Sequence, residues 1–219
     1  MSKAPHDIAS DLDRIARLSA GKPDRLDAPE RRLLRHAPAA MAEALDVGCG
    51  TGAMTRAFAQ RGARVLGVDL SPGMIEVARR RSTAYPNIEY LVADTTRLAL
   101  PAARFDCIST VATLHHLPLR PTLARLATAL APGGVLLVAD LLDTSGLLNL
   151  PRNALALLVS RLSRPRGGRA LRDAWAQHGE DEIYPRCSEI EALAADLLPG
   201  AQIRQHLLWR YSLVWTKPR

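Results

Sequence analysis

The chain is poor in several things, and each shortage excludes something. Its 219 residues include three cysteines, Cys49, Cys107 and Cys187. None stands in a C-x-x-C pair, which argues against a disulfide scaffold and against a structural zinc site. No metal is expected. Lysine is nearly absent: Lys3, Lys22 and Lys217 are the whole set, so the net charge of +7 is carried by arginine. Arginine spread through helices reads first as solvated surface and only weakly as a nucleic-acid footprint. Long hydrophobic runs are missing too. The most apolar stretch, 146–162, is interrupted by Asn149, Pro151, Arg152, Asn153 and Arg161, so no membrane span is expected. Met1 to Ala20 is polar and has no apolar core segment, so a secretory leader is not expected. A reducing, cytoplasmic setting is the expectation that follows.

What remains suits a packed enzyme-sized domain. Hydrophobic residues make up 47% and charged ones 23%, which excludes a mainly disordered or fibrous chain. Residues 1–40 read as a peripheral helical segment, with helices at about 7–19 and 28–36. From Ala42 onward, short apolar runs (42–47, 64–68, 88–92, 105–110, 135–139) alternate with helices (53–61, 71–81, 120–130). Ser71 and Pro72 open the second of these as N-cap and first helical residue. Pro132-Gly133-Gly134 reads as a turn. Alternation of this kind implies βαβ units and a buried parallel sheet. The expected fold is therefore α/β, a doubly wound Rossmann-like sandwich with a mostly parallel sheet and a C-terminal antiparallel hairpin, about 202–208 with 211–216. Residues 41–219 form the main domain. Within it, about 141–186 breaks the pattern with an apolar helix (147–162), an Arg-Pro-Gly turn (164–168), a helix (170–177) and an acidic loop (180–182). A capped helix, 188–197, follows.

Ligands in such folds sit outside the carboxyl ends of the strands. The acidic and glycine-rich segments fall at that edge. Asp46-Val47-Gly48-Cys49-Gly50-Thr51-Gly52 joins a strand to a helix, and its glycines let backbone approach a ligand. Gly48, Gly50 and Ala53 satisfy G-x-G-x-x-G/A, with Asp69 near the spacing of a ribose-binding acid, so an NAD(P)-dependent oxidoreductase is a competing reading. Asp46 speaks against it, since a carboxylate there repels a pyrophosphate and attracts a cation. Asp94, after the third strand, stands where an adenine amino group could be held.

The successive segments Ala44 to Gly52, Gly67 to Met74, Val92-Ala93-Asp94, Leu114-His115-His116-Leu117 and Ala131 to Gly134 resemble the motifs of class I S-adenosylmethionine-dependent methyltransferases. The likeness is to the small-molecule branch that includes the ubiquinone/menaquinone-type enzymes. It runs from about Ala42 to Asp140. The resemblance implies S-adenosylmethionine as cofactor. It places Asp46 near the methionine amino end and the loop of Gly48, Cys49, Gly50 and Gly52 beside the cofactor. Asp69 would accept from both ribose hydroxyls. Leu70 and Met74 would pack on adenine, and Asp94 would hold its amino group, with Ala93 and Thr95 lining that end. Thr110 and Val111 would flank the methionine portion.

The acceptor side carries less signal. His115 and His116 stand at the mouth of the expected site, where an imidazole could act as base; the bland reading is that the pair shapes the loop. Asp140, Asp143 and Tyr184 are further candidates to touch the acceptor. Leu147, Leu148, Leu150, Leu155, Leu157 and Leu158 would make an apolar lid, pack on the sheet or form a homodimer contact. The Asn/Asp-Pro-Pro-Tyr of base-methylating relatives is missing; Ser109 to Thr113 stands there instead. A small-molecule acceptor is therefore expected and nucleic acid disfavoured, with an RNA or protein methyltransferase, or a non-catalytic cofactor-binding protein, as rivals.

Overall fold

The computed structural model describes residues 4–22, 24–145, 153–157, 168–179 and 182–219. Its strands are β1 (Glu43–Val47), β2 (Arg64–Asp69), β3 (Ile88–Val92), β4 (Phe105–Val111), β5 (Leu130–Leu141), β6 (Gln202–His206) and β7 (Arg210–Thr216). Its helices are α1 (Pro5–Ser19), α2 (Ala28–Leu34), α3 (Ala53–Ala59), α4 (Pro72–Arg81), α5 (Leu119–Ala129), α6 (Arg169–Gly179) and α7 (Cys187–Leu197), with a 3-10 turn at Leu114–His116. The strands form one sheet in the order β3-β2-β1-β4-β5-β7-β6. The first five run parallel and β7 is antiparallel to both its neighbours. The expected sandwich and its hairpin are both there.

Both faces of the central strands are covered, which is why they read as nearly unbroken apolar runs. Strand pleating sends alternate residues to opposite layers. Leu45, Ile108 and Leu136 meet Leu123 and Leu126 of α5 and Ile190 of α7. Ala44, Cys107 and Leu137 meet Met54 and Phe58 of α3 and Leu33 of α2. Burying one such large side chain is worth about 1.5–3 kcal/mol. Strand order reverses between β1 and β4, and the crevice at their carboxyl ends is where the site lies.

Several boundaries differ from the sequence reading. β5 starts at Leu130 and runs through Pro132-Gly133-Gly134 instead of beginning after a turn there. Gly133 N–H donates to the Lys217 carbonyl and Lys217 N–H to that of Gly134, each at 2.9 Å. The Lys217 ammonium also donates to the carbonyls of Ala127 and Leu130, closing the end of α5. The hairpin turn is 207–209, with Leu208 and Trp209 both in the left-handed region. α7 starts at Cys187, and Glu189 accepts from Arg186 N–H, so the cap lies upstream of Ser188.

Within the N-terminal segment, α1 is packed rather than peripheral. α1 packs on α4 and α6 through Ile15, Ala16, Met74, Val77, Leu171 and Ala174. Asp13 accepts from Ser71 Oγ (2.5 Å) and Gly73 N–H (2.8 Å), which ties α1 to the start of α4. Of the expected lid helix, Leu147, Leu148, Leu150 and Leu158 lie outside the described residues, as do the turn residues 164–167 and the acids Glu180 and Asp181. Leu155 and Leu157 are exposed. No described helix is long and apolar enough to cross a membrane.

Candidate active site

Each element delivers one part of the crevice. Asp46, next to last in β1, is buried; Thr55 Oγ1 and Ser109 Oγ each donate to its carboxylate at 2.7 Å. Ser109 is there because β1 and β4 pair with Asp46 opposite Ser109. Burial pushes the Asp46 carboxyl above its ordinary value, against the pull of the two hydroxyls. β2 ends in Asp69, also buried, which accepts from Gly50 N–H (2.8 Å) and Ser71 N–H (2.9 Å). Burial again dominates and raises its pKa to about 6. Ser71 then caps α4 by accepting from Met74 N–H at 2.9 Å.

The glycine loop is glycine for unequal reasons. A Cβ on Gly48 would strike Thr113 Oγ1 at 2.0 Å, and one on Gly52 would strike Tyr90 Oη at 2.3 Å. Those two positions are small so that the protein can pack against itself. Gly50, at φ +50°, has nothing within 4 Å of its missing side chain. It alone of the three opens to space. Cys49 is buried beside them, and burial pushes its thiol well above the ordinary range.

The crevice encloses about 850 Å³. Its wall includes Asp46, Gly48, Cys49, Gly50, Asp69, Leu70, Met74, Ala93, Asp94, Thr95, Val111, His115 and His116 from the expected set. Gly52 and Thr110 are not on that wall. Gly52 is the N-cap of α3 and faces Tyr90. Thr110 is buried at the end of β4, and the pleat turns it to the face opposite Ser109 and Val111. Asp94 folds back on its own turn: Thr96 N–H (2.8 Å) and Oγ1 (2.6 Å) both donate to its Oδ1, and the Thr96 hydroxyl, first among the causes, holds its pKa down. Met74 serves both the wall and the α1–α4 core.

Three features of the wall escaped sequence reasoning. Ile8 and Leu12 of α1 cover the crevice. Asp24 anchors the segment after α1: Thr51 Oγ1 donates to it at 3.0 Å, and Arg56 and Arg81 pair with it. The third is the far end, where α6 adds Trp175 and His178 beside Tyr184, itself a candidate from the sequence. None has a local signal, because each is brought in by long-range packing.

At that end His115 Nδ1 lies 2.5 Å from Asp140 Oδ1, and His115 N–H donates to Oδ2 at 3.1 Å. Asp140 is buried at the end of β5. The carboxylate holds the Nδ1 proton, so the neutral ring carries its lone pair on Nε2. The His116 ring stacks at 3.9 Å from that of His115, and Tyr184 lies 5.1 Å from His115. His116 Nδ1 approaches Glu182 Oε2 at 3.0 Å, and that carboxylate is buried. Asp143 is turned away: it accepts from Ser145 N–H at 2.8 Å and is absent from the wall.

The residues fit an adenosyl sulfonium: an open glycine face, a buried acid at the second strand, and room for a ligand of that size. Sheet order, acid-ended strands and loop together define a class I S-adenosylmethionine-dependent methyltransferase. The chain belongs to the methyltransferase family: residues 45–138 match the family's methyltransferase domain, and an uncharacterized methyltransferase of Mycobacterium tuberculosis is 33% identical over 178 residues, covering 80% of this chain and 86% of that one. S-adenosylmethionine is its cofactor. A malonyl-[acyl-carrier protein] O-methyltransferase of Serratia marcescens is 42% identical over 98 residues, 44% of this chain and 37% of that enzyme. The chain thus spans well under half of that relative. A phosphoethanolamine N-methyltransferase 2 of Haemonchus contortus, solved with S-adenosyl-L-methionine, matches with a TM-score of 0.68 at 17% identity, over 97% of this chain and 60% of that one.

Proposed function

We propose that the protein methylates a hydroxyl group on a small, partly apolar acceptor in the cytoplasm, with His115 as proton acceptor. The observation that carries this reading is the Asp140–His115 pair at the end of the crevice away from Asp69. S-adenosylmethionine supplies a methyl group that is already strongly electrophilic. The chain must then bind, orient, exclude water and take up a proton. Asp69 would accept from the ribose hydroxyls, with Leu70 and Met74 beside the base. Asp94 would face the amino group of the base through its second carboxylate oxygen, since Thr96 occupies the first. Asp46, with one hydroxyl already on each oxygen, would act on the amino end chiefly by charge. Holding donor and acceptor in line supplies several kcal/mol without any further group.

A hydroxyl is a poor nucleophile until it loses its proton, and an amine is not. His115 Nε2 would take that proton, while Asp140 orients the ring and stabilises the imidazolium. Ile8, Leu12 and Trp175 make part of the enclosure apolar, which suits an acceptor with a hydrophobic portion. The test is turnover of hydroxyl and amine acceptors by wild type and His115→Asn. Hydroxyl methylation should fall by about 100-fold or more, with S-adenosylmethionine affinity unchanged by calorimetry. Undiminished hydroxyl turnover in the variant would defeat the reading.

A further inference from the structure

We propose that His115, His116 and Glu182 form a binding site for a divalent transition-metal ion, and that its occupation silences methyl transfer. One nitrogen of each imidazole and one carboxylate oxygen of Glu182 lie within 4.8 Å of one another. Two imidazoles and a carboxylate suit Zn²⁺, Co²⁺ or Fe²⁺ better than the hard cations Mg²⁺ and Ca²⁺, which prefer all-oxygen sites.

Glu182 supplies the independent argument. Its side chain is 1% exposed. Neither of its oxygens accepts a hydrogen bond from a described residue, although His116 Nδ1 lies 3.0 Å away. A carboxylate taken out of water without donors is costly, and a cation shared with the neighbouring rings offsets that cost. Asp140 completes the arrangement. A metal-binding histidine ordinarily hands its other ring N–H to a carboxylate, which fixes the tautomer and raises ligand basicity. His115 already makes that contact at 2.5 Å. Three protein ligands leave a coordination position open, and both histidines line the crevice.

An ion bound here takes the His115 lone pair that a proton acceptor needs. The silencing rests on the proposed role of His115; the binding does not. The experiment uses the full chain stripped of metal with a chelator. Co²⁺ is titrated while its visible absorption is followed, Zn²⁺ binding is measured by calorimetry, and transfer is assayed in parallel. Wild type should bind about one ion per chain with the spectrum of a nitrogen-ligated site. Glu182→Gln and His116→Asn should each weaken binding by more than about tenfold, with S-adenosylmethionine binding as the check on folding. Zn²⁺ should abolish wild-type transfer until chelated, while Glu182→Gln keeps basal transfer and resists Zn²⁺. No Co²⁺ spectrum in wild type, or equal binding in both variants, overturns the site. Metal bound with transfer unchanged overturns the silencing. Full hydroxyl transfer by His115→Asn would instead sink the proton-acceptor role and leave the metal site standing.

Discussion

Asp69 is pinned by the protein before any ligand arrives. The N–H groups of Gly50 and Ser71 hold its two oxygens in place, so its remaining lone pairs point where the fold directs them. Burial lifts its pKa to about 6. Hydroxyl groups donate to the charged carboxylate and lose that acceptor when it is protonated. Cofactor affinity should therefore weaken as pH falls through about 6, by up to about tenfold per unit below it. Calorimetry between pH 5 and 8 should show this slope in wild type. Asp69→Asn should bind weakly at every pH, with the slope gone; an equally steep slope in that variant would assign the titration elsewhere.

Single elements owe their precision to contacts from other elements. The turn between β1 and α3 is glycine at both ends because Thr113 and Tyr90 occupy the space of the absent side chains. Gly52→Ala should destabilise the fold by about 1–3 kcal/mol, since φ is +84° and Tyr90 Oη blocks the new methyl. The urea midpoint measures it. Gly50→Ala has open space and should cost the fold less while impairing cofactor binding more. If the two variants behave alike, the division of labour along the loop is wrong. α1 is held by a side chain that reaches across to α4. Asp13→Ala removes the acceptor for Ser71 Oγ and Gly73 N–H and should cost about 1 kcal/mol. Hydrogen exchange of the α1 amides should speed up in this variant before that of the sheet.

At the scale of the molecule, acids gather around the crevice. Glu30 lines it, and burial, reinforced by the nearby Asp27 charge, raises its pKa from 4.5 to about 7. Below pH 4.5 the group is protonated in both the folded and the unfolded chain and costs nothing. As pH rises through about 7 the folded protein must give up a proton that the unfolded chain has already lost, so stability falls over that window. Glu30→Gln can keep the contact to Asp27 N–H without the charge. Its melting temperature should exceed that of wild type above pH 7, with no such gain below pH 4.5. The sequence alone determined the mostly parallel, doubly wound sheet, its C-terminal hairpin and the acids near the ends of β1, β2 and β3. Those signals are local: apolar runs of strand length, Ser71 as cap, an acid where a strand meets a loop. It also brought Asp69, Asp94 and His115 into view as site residues. Only the tertiary structure decided that α1 covers the crevice, that Thr110 faces away, that Asp140 stands behind His115 and that Glu182 is buried beside His116. Asp140 is 25 residues from His115 in the chain and Asp13 is 58 from Ser71. Such pairs leave no periodic trace, because packing that closes the chain on itself chooses them after each element has formed.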